Sequence, residues 1–224
     1  MNSYNIAPLF LSLKMGTLVT IILLSISLPV GYILARKNFP MKSIAETIIT
    51  LPLVLPPTVL GFYLLIAFSP RYAIGKVFLE KFDVSLVFTF EGIVFASCIH
   101  SLPFMIQPVK NGFMSMNPSL IEASYTLGKG EVETFIKIIL PSLSPFLFTG
   151  IITTFIHAIG EFGVVLMTGG SIPGVTKVAS IAIYEYVESA DYHMAGIYSG
   201  ILIVISFAII FMLQTLTRVK GNQL

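Results

Sequence analysis

The residues best placed to do chemistry in this chain are His157 and Glu161, which lie four positions apart in a strongly apolar segment. Residues at this spacing share one face of a helix. An ionisable pair inside such a segment predicts a functional site, in which imidazolium and carboxylate stabilise each other's charge. A structural ion pair that holds helices together is an equally open interpretation. Two ligands are too few for a metal, so we predict no metal site.

Other chemistry finds little support in the sequence. The nearest approach to a phosphate-binding loop is Gly128 and Lys129, but Ala123 stands where the first glycine belongs and Gly130 where Ser or Thr belongs. Cys98 is the only cysteine, which excludes a disulfide framework within the chain. No nucleophile elbow or zinc-binding helix is visible. We therefore predict that the chain is not an enzyme and holds no cofactor of its own.

The composition is that of an integral membrane protein. Of the 224 residues 55% are hydrophobic and only 11% are charged, and the mean hydropathy is +0.92. A net charge of +2 is too small to predict nucleic-acid binding. About 20 apolar residues suffice to cross a bilayer as a helix. We predict one all-α membrane domain over 9–217, with five spans at about 9–35, 48–68, 88–109, 143–167 and 196–216.

Basic residues suggest how these spans are oriented. The predicted topology places eight on one side (Arg36, Lys37, Lys42, Lys110, Lys129, Lys137, Arg218, Lys220) and four on the other (Arg71, Lys76, Lys81, Lys177). Because loops rich in lysine and arginine stay in the cytoplasm, the N-terminus is expected outside and the C-terminus inside.

Pro52, Pro56 and Pro57 interrupt the second predicted span. Each proline removes a backbone N–H, so this helix should bend or open. Such a break is tolerated in a membrane only where protein or a wet cavity covers it. The segment is therefore expected either to line a path or to form a structural kink.

A polar insert at 117–141 separates the third and fourth spans. Asn117 and Pro118 predict a helix start, and Gly128 predicts its end. A second helical pattern then reaches Pro141, where continuation without a kink is forbidden. We expect a two-helix elbow in contact with something soluble. The first helix should have one small, mainly apolar face formed by Leu120, Ala123, Ser124 and Leu127.

The spacing in this insert resembles the EAA loop of ABC importer permeases. The matching residues are Glu122, Ala123, Ser124, Gly128, Ile138, Leu140 and Pro141, with Ser124 where the family has its second alanine. In that family the loop's short helix docks into the nucleotide-binding subunit. The resemblance implies the type I importer fold with a cytoplasmic coupling helix, and two permease copies working with two ATPase subunits that bind ATP and Mg²⁺.

Further stretches resemble the molybdate branch of that family. Gly160, Glu161 and Gly163 belong to a GEFG segment similar to that of molybdate and sulfate permeases, where arginine commonly stands at the position of His157. The proline-rich stretch at 51–61 is also similar to molybdate-type permeases. The resemblance implies import of molybdate or tungstate across the inner membrane from an external binding protein. Sulfate or thiosulfate import is the alternative, and a passive channel or membrane scaffold is a third.

The predicted spans contain almost no lysine or arginine that could hold an anion. Lys14 is the exception, and it lies near an outer edge. Hydroxyl donors are more frequent and are suited to transient contacts along a path: Thr50, Thr58, Ser97, Ser101, Thr149, Thr153 and Thr154. His100 lies deep in the third span and is expected to be a hydrogen-bonded interior residue rather than a ligand.

Overall fold

A computed structural model describes residues 6–221, and these residues form helices joined by short connections. The helices are α1 (Ala7–Arg36), α2 (Lys42–Thr50), α3 (Pro57–Phe68), α4 (Ala73–Phe82), α5 (Phe90–Ser115), α6 (Pro118–Thr126), α7 (Glu131–Thr134), α8 (Leu140–Gly160), α9 (Gly163–Gly169), α10 (Ala179–Glu188) and α11 (Tyr192–Gly221). The predicted all-α class is confirmed.

Four helical stretches within 6–221 are long and apolar enough to cross a membrane. They are Ala7–Arg36, Phe90–Ser115, Glu131–Gly160 and Tyr192–Met212. A fifth span is formed if the bent pair Lys42–Leu53 and Pro57–Phe68 is counted as one. The fourth span differs most from its predicted bounds, because its helix begins at Glu131 and ends at Gly160.

The second span is broken where the sequence predicts it. Its halves, Lys42–Leu53 and Pro57–Phe68, meet at an angle of 112°. Pro56 has an extended backbone (φ −54°, ψ 134°) and Pro57 is the first residue of α3. Since proline fixes its own φ and disfavours helix in the residue before it, two adjacent prolines end one helix and start another. The predicted bend is confirmed.

The core of the bundle lies between α1, α5 and α8. Glycines allow these helices to approach closely: a Cβ on Gly16 would lie 2.6 Å from Ile159 Cγ2, and one on Gly31 would lie 2.8 Å from Val109 Cγ1. Large apolar side chains fill the remaining interior, and the fully buried ones include Met15, Leu23, Ile93, Met105 and Leu143. The elbow at 117–141 and the segment around His157 and Glu161 are both attached to this three-helix core.

The helix continues through Pro141, where the sequence predicts that it can do so only with a kink. A π-helical stretch, Phe135–Ile139, joins α7 to α8, and Leu140 N–H donates to Phe135 O. Proline lacks an N–H and crowds the preceding turn, and a locally widened turn accommodates both effects. The fourth span is therefore continuous from Glu131 to Gly160.

The last span lies at the outside of the bundle. Gly196 and Gly200 have the spacing that allows close helix contact. A Cβ on either glycine would meet nothing within 4 Å. Only 11% of the most apolar stretch of this span is buried. Close approach at these glycines does not occur within this chain, because no helix of the described residues packs against that face.

The connection before α10 is fastened by one carboxylate. Glu185 accepts hydrogen bonds from Ser171 Oγ and from Lys177 Nζ. Burial raises the pKa of Glu185, but these two hydrogen bonds outweigh it and hold that pKa below its ordinary value. At the buried start of α10, Ala179 N–H donates to Ser12 Oγ at 2.8 Å, which ties this helix to α1.

Candidate functional site

The elbow begins and ends as its sequence predicts. Asn117 Oδ1 accepts a hydrogen bond from Ser119 N–H at 3.0 Å, and Pro118 is the first helical residue of α6. At the other end Gly128 has φ +77°, its N–H donates to Tyr125 O, and Lys129 N–H donates to Ser124 O. These paired bonds form the Schellman motif, which requires a left-handed residue that glycine supplies without strain.

Ser124 joins the two arms of the elbow. Its side chain is buried, and its Oγ lies 2.8 Å from Thr134 Oγ1, which is also buried. Thr134 N–H in turn donates to Gly130 O at 2.9 Å. The sequence suggested only that a small residue at position 124 would permit close approach. The structure adds a side-chain hydrogen bond that fixes the angle between α6 and α7.

The outer surface of the elbow exposes large apolar side chains. Leu120 is 49% exposed, Leu127 is 78% exposed and Val132 is 73% exposed. Glu122 and Ala123 are exposed beside them. Of the apolar face predicted for α6, only Ser124 points inward. Exposed apolar side chains grouped in this way are typical of an interaction surface.

The inner surface of the elbow is attached to the helix bundle. Ile121 and Ile139 pack against a cluster formed by Val109, Phe113, Met116 and Leu143. Arg36 Nη2 donates to Met116 O at 2.7 Å and so links the end of α1 to the end of α5. Ile138 and Leu140 are half-buried, whereas Pro141 is exposed. The elbow therefore contacts α5 and α8 through Ile121 and Ile139.

An open cavity with both polar and apolar lining residues lies between α2 and α5. Its volume is about 500 Å³ and its lining residues are Ser43, Glu46, Thr47, Thr50, Leu51, Val54, Gln107 and Lys110. Lys110 Nζ contacts Glu46 Oε1 at 2.7 Å, and Gln107 Nε2 donates to Thr50 Oγ1 at 3.1 Å. In the sequence, Lys110 indicates only the topology. The pairing across 64 positions places it beside the broken second span.

The predicted proline and glycine sites meet at one point. A Cβ on Gly163 would lie 2.7 Å from Pro57 Cβ, so α9 packs tightly against the start of α3. Pro52 is buried and Pro56 is exposed. Gly160 faces open space, since a Cβ added there would meet nothing within 4 Å. Gly163 and Pro57 are thus in contact, while Gly160 is not part of that contact.

His157 and Glu161 are joined by a third residue, His100, which is buried and hydrogen-bonded as its sequence context predicts. His100 Nδ1 lies 2.6 Å from Glu161 Oε2 and 3.1 Å from His157 Nε2, while His157 Nε2 lies 3.6 Å from Glu161 Oε2. Helix α8 ends at Gly160, so Glu161 is the residue just beyond the helix rather than on its face. The nearest partner of Glu161 is therefore His100 and not His157.

The predicted pair of His157 and Glu161 is present at 3.6 Å, and His100 joins it as a third member. His100 and Glu161 are separated by 61 positions and come together only through the packing of α5 against α8. The sequence signal for this contact was His100 itself, because a histidine deep in an apolar span needs a polar partner. With His100, the number of candidate metal ligands rises from two to three. The expectation that the chain holds no metal stays a prediction.

Comparison with known proteins identifies the chain. Residues 27–217 match the family described as binding-protein-dependent transport system inner membrane component. The chain belongs to this family. It is therefore a membrane-spanning permease subunit, and relatives of this kind are transport subunits and not enzymes.

Two curated relatives align with this permease over most of its length. The molybdenum transport system permease protein ModB of Azotobacter vinelandii is 38% identical over 99% of this chain and 98% of its own. The sulfate transport system permease protein CysT of Escherichia coli is 32% identical over 86% of this chain and 69% of its own.

Two solved structures share the fold of the permease. The MetNI methionine ABC transporter matches with a TM-score of 0.69 over 95% of this chain and 94% of that one, at 18% identity. A bacterial ABC transporter that imports alginate matches with a TM-score of 0.75 over 95% of this chain and 78% of that one, at 16% identity. The type I importer fold is confirmed.

Most hydroxyl groups expected along the path are already bonded in this permease. Thr50 donates to Glu46 O, Thr149 to Pro145 O and Thr153 to Phe104 O. Ser97 donates to Met15 Sδ. Among the described residues, the buried Ser101 Oγ and Thr154 Oγ1 have no hydrogen-bond partner. Hydroxyls that bond to a carbonyl one turn earlier in their own helix still retain acceptor capacity.

Proposed function

We propose that this permease passes molybdate, or tungstate of the same tetrahedral dianionic shape, from an external binding protein into the cytoplasm. The observation that carries the proposal is the 38% identity to a molybdenum permease over 99% of this chain and 98% of the relative. A second molybdenum relative, from Bacillus subtilis, is 35% identical over 92% of the chain and supports the same solute.

The charges near the cavity fit a dianion that must be released. A fixed, unpaired cation on the path would hold such a solute too firmly for transport. The Lys110 charge faces Glu46 at 2.7 Å, so it is largely neutralised. Transient contacts through Gln107 and the hydroxyl groups of the lining remain available to the passing anion.

The elbow is proposed to receive work from an ATPase subunit. Its exposed Leu120, Leu127 and Val132 supply an apolar docking surface, while Ile121 on the opposite face contacts the bundle. In this proposal two permease copies bind two ATPase subunits, which hold ATP and Mg²⁺. The elbow then lies in the cytoplasm, with the N-terminus outside and the C-terminus inside.

Sulfate is the second candidate solute, because CysT relatives are 32% identical over 86% of the chain. The two solutes share tetrahedral shape and charge, so the binding protein and the path together decide between them. A passive channel is disfavoured because the elbow's outer face would then have no partner.

The test is solute-stimulated ATP hydrolysis by the reconstituted complex. The permease, its ATPase and its cognate binding protein are placed in lipid nanodiscs, and turnover is measured with molybdate, tungstate or sulfate. Stimulation by molybdate and tungstate well above that by sulfate supports the proposal. Stimulation by sulfate alone assigns the chain to the sulfate branch, and a permease that assembles with no ATPase contradicts both proposals.

A further inference from the structure

The cluster formed by His100, His157 and Glu161 has the composition of a metal site. Its three ligating atoms, one from each residue, lie within 4.8 Å of one another. We propose that these residues bind a transition-metal dication such as Zn²⁺ between α5 and the end of α8. This site is independent of the transported solute and of the coupling elbow.

Protons alone satisfy the cluster poorly. His100 Nδ1 makes two short contacts, at 2.6 Å to Glu161 Oε2 and at 3.1 Å to His157 Nε2. One ring nitrogen carries either a proton or a lone pair, and either one points in a single in-plane direction. His100 Nδ1 can therefore form a well-directed hydrogen bond with only one of these two atoms. A cation at the centre uses a lone pair from each residue, and all three atoms become ligands.

Each side of the triangle of ligand atoms is within an ångström of the length that zinc requires. Zn–N and Zn–O distances of about 2.0–2.2 Å place two ligands of a tetrahedral ion about 3.4 Å apart. The observed separations are 2.6, 3.1 and 3.6 Å. Shifts of under an ångström therefore bring the three side chains to coordination distance, with a fourth tetrahedral position left for water.

Surrounding groups hold the ligands in place. Glu161 Oε1 accepts from Val164 N–H at 3.0 Å, which leaves Oε2 for the cluster. Ser180 Oγ donates to the Glu161 carbonyl at 2.5 Å. The Phe104 ring stacks on His157 with the centroids 4.1 Å apart. Hydrogen bonds that orient ligands are a regular feature of metal sites and contribute to affinity.

The ligand set and the burial indicate the kind of ion. Imidazole nitrogens suit zinc, copper, iron and nickel, whereas magnesium and calcium prefer all-oxygen sites. The side chains of His100 and Glu161 are 7% and 5% exposed, and that of His157 is 24% exposed. Entry is therefore from the His157 side. A dication also offsets the charge of a carboxylate buried in a poorly solvated place.

Cobalt substitution tests the site directly. The full chain, without a polyhistidine tag, is purified in nanodiscs, stripped with a chelator and titrated with Co²⁺. We expect visible d–d absorption of four-coordinate cobalt at one equivalent, displaced by Zn²⁺ and unaffected by excess Mg²⁺. His157→Phe, which keeps a ring against Phe104, and Glu161→Gln should each weaken binding by ~10-fold or more, since even the loss of a supporting residue costs that much.

The exposed His193 gives the matched control. It is the only histidine outside the cluster, and His193→Ala should leave the cobalt spectrum unchanged. Absence of four-coordinate absorption in the wild-type chain would overturn the proposal, whatever the variants do. Equal binding by wild type and His157→Phe, or loss of binding in His193→Ala alone, would also overturn it.

Discussion

The hydrogen bond between Ser124 and Thr134 allows a quantitative test of the elbow. The two hydroxyl oxygens are 2.8 Å apart, and the residues are 3% and 0% exposed. Ser124→Ala or Thr134→Val leaves the other hydroxyl buried without its partner. A buried polar group deprived of its partner costs about 1–3 kcal/mol, whereas replacing both partners by apolar groups is nearly neutral.

Amide hydrogen exchange measures this cost where it acts. The N–H groups of Leu127 and Lys129 donate to carbonyls within α6, so their exchange reports its opening. Each single substitution should accelerate their exchange by ~5- to 150-fold. This range corresponds to the cost of about 1–3 kcal/mol, because about 1.4 kcal/mol changes an equilibrium constant tenfold. The double variant should return most of the way to the wild-type rate.

Thr126 serves as the matched control for this cycle. Its Oγ1 donates to Glu122 O at 2.9 Å and is exposed, so Thr126→Val should change the exchange by only about threefold or less. If the effects of Ser124→Ala and Thr134→Val simply add in the double variant, the two hydroxyls are not coupled. The fixed angle between α6 and α7 would then need another cause.

Three further predictions concern coupling, orientation and packing. Gly128→Asp strains the left-handed end of α6 (φ +77°) and adds charge, so solute-stimulated ATP turnover should be lost although the protein inserts; unchanged turnover contradicts this. In a cysteine-free background, cysteine at Lys81 should react with an impermeant reagent added outside and cysteine at Ser119 should not; the reverse labelling pattern would discard the orientation. Gly163→Val should lower the melting temperature because its side chain would overlap Pro57, whereas Gly160→Ala, in open space, should not.

The parts of the fold that follow from neighbouring residues could be predicted from the sequence. Asn117, Pro118 and Gly128 determine the ends of α6 through bonds that reach at most a few positions. Pro56 and Pro57 break the second span for equally local reasons. At Pro141 the sequence predicts a kink, and the structure has a π-helical stretch, Phe135–Ile139, just before this proline, a solution that no local rule demands.

The parts of the site that depend on packing could not be predicted. His100 and Glu161 meet across 61 positions, and Glu46 and Lys110 across 64. A histidine in an apolar span requires a polar partner, but the amino-acid sequence does not indicate which helix supplies that partner. Ser124 and Thr134 are only ten positions apart, yet their contact depends on how the chain turns between α6 and α7.

ATP-dependent uptake of radiolabelled molybdate tests the central claim most directly. Proteoliposomes contain the permease with its ATPase, and the binding protein is present outside. We predict uptake that needs both ATP and the binding protein, that exceeds sulfate uptake, and that is lost in Gly128→Asp. Molybdate entry that proceeds without ATP, or that is equal in wild type and Gly128→Asp, would contradict coupling through the elbow.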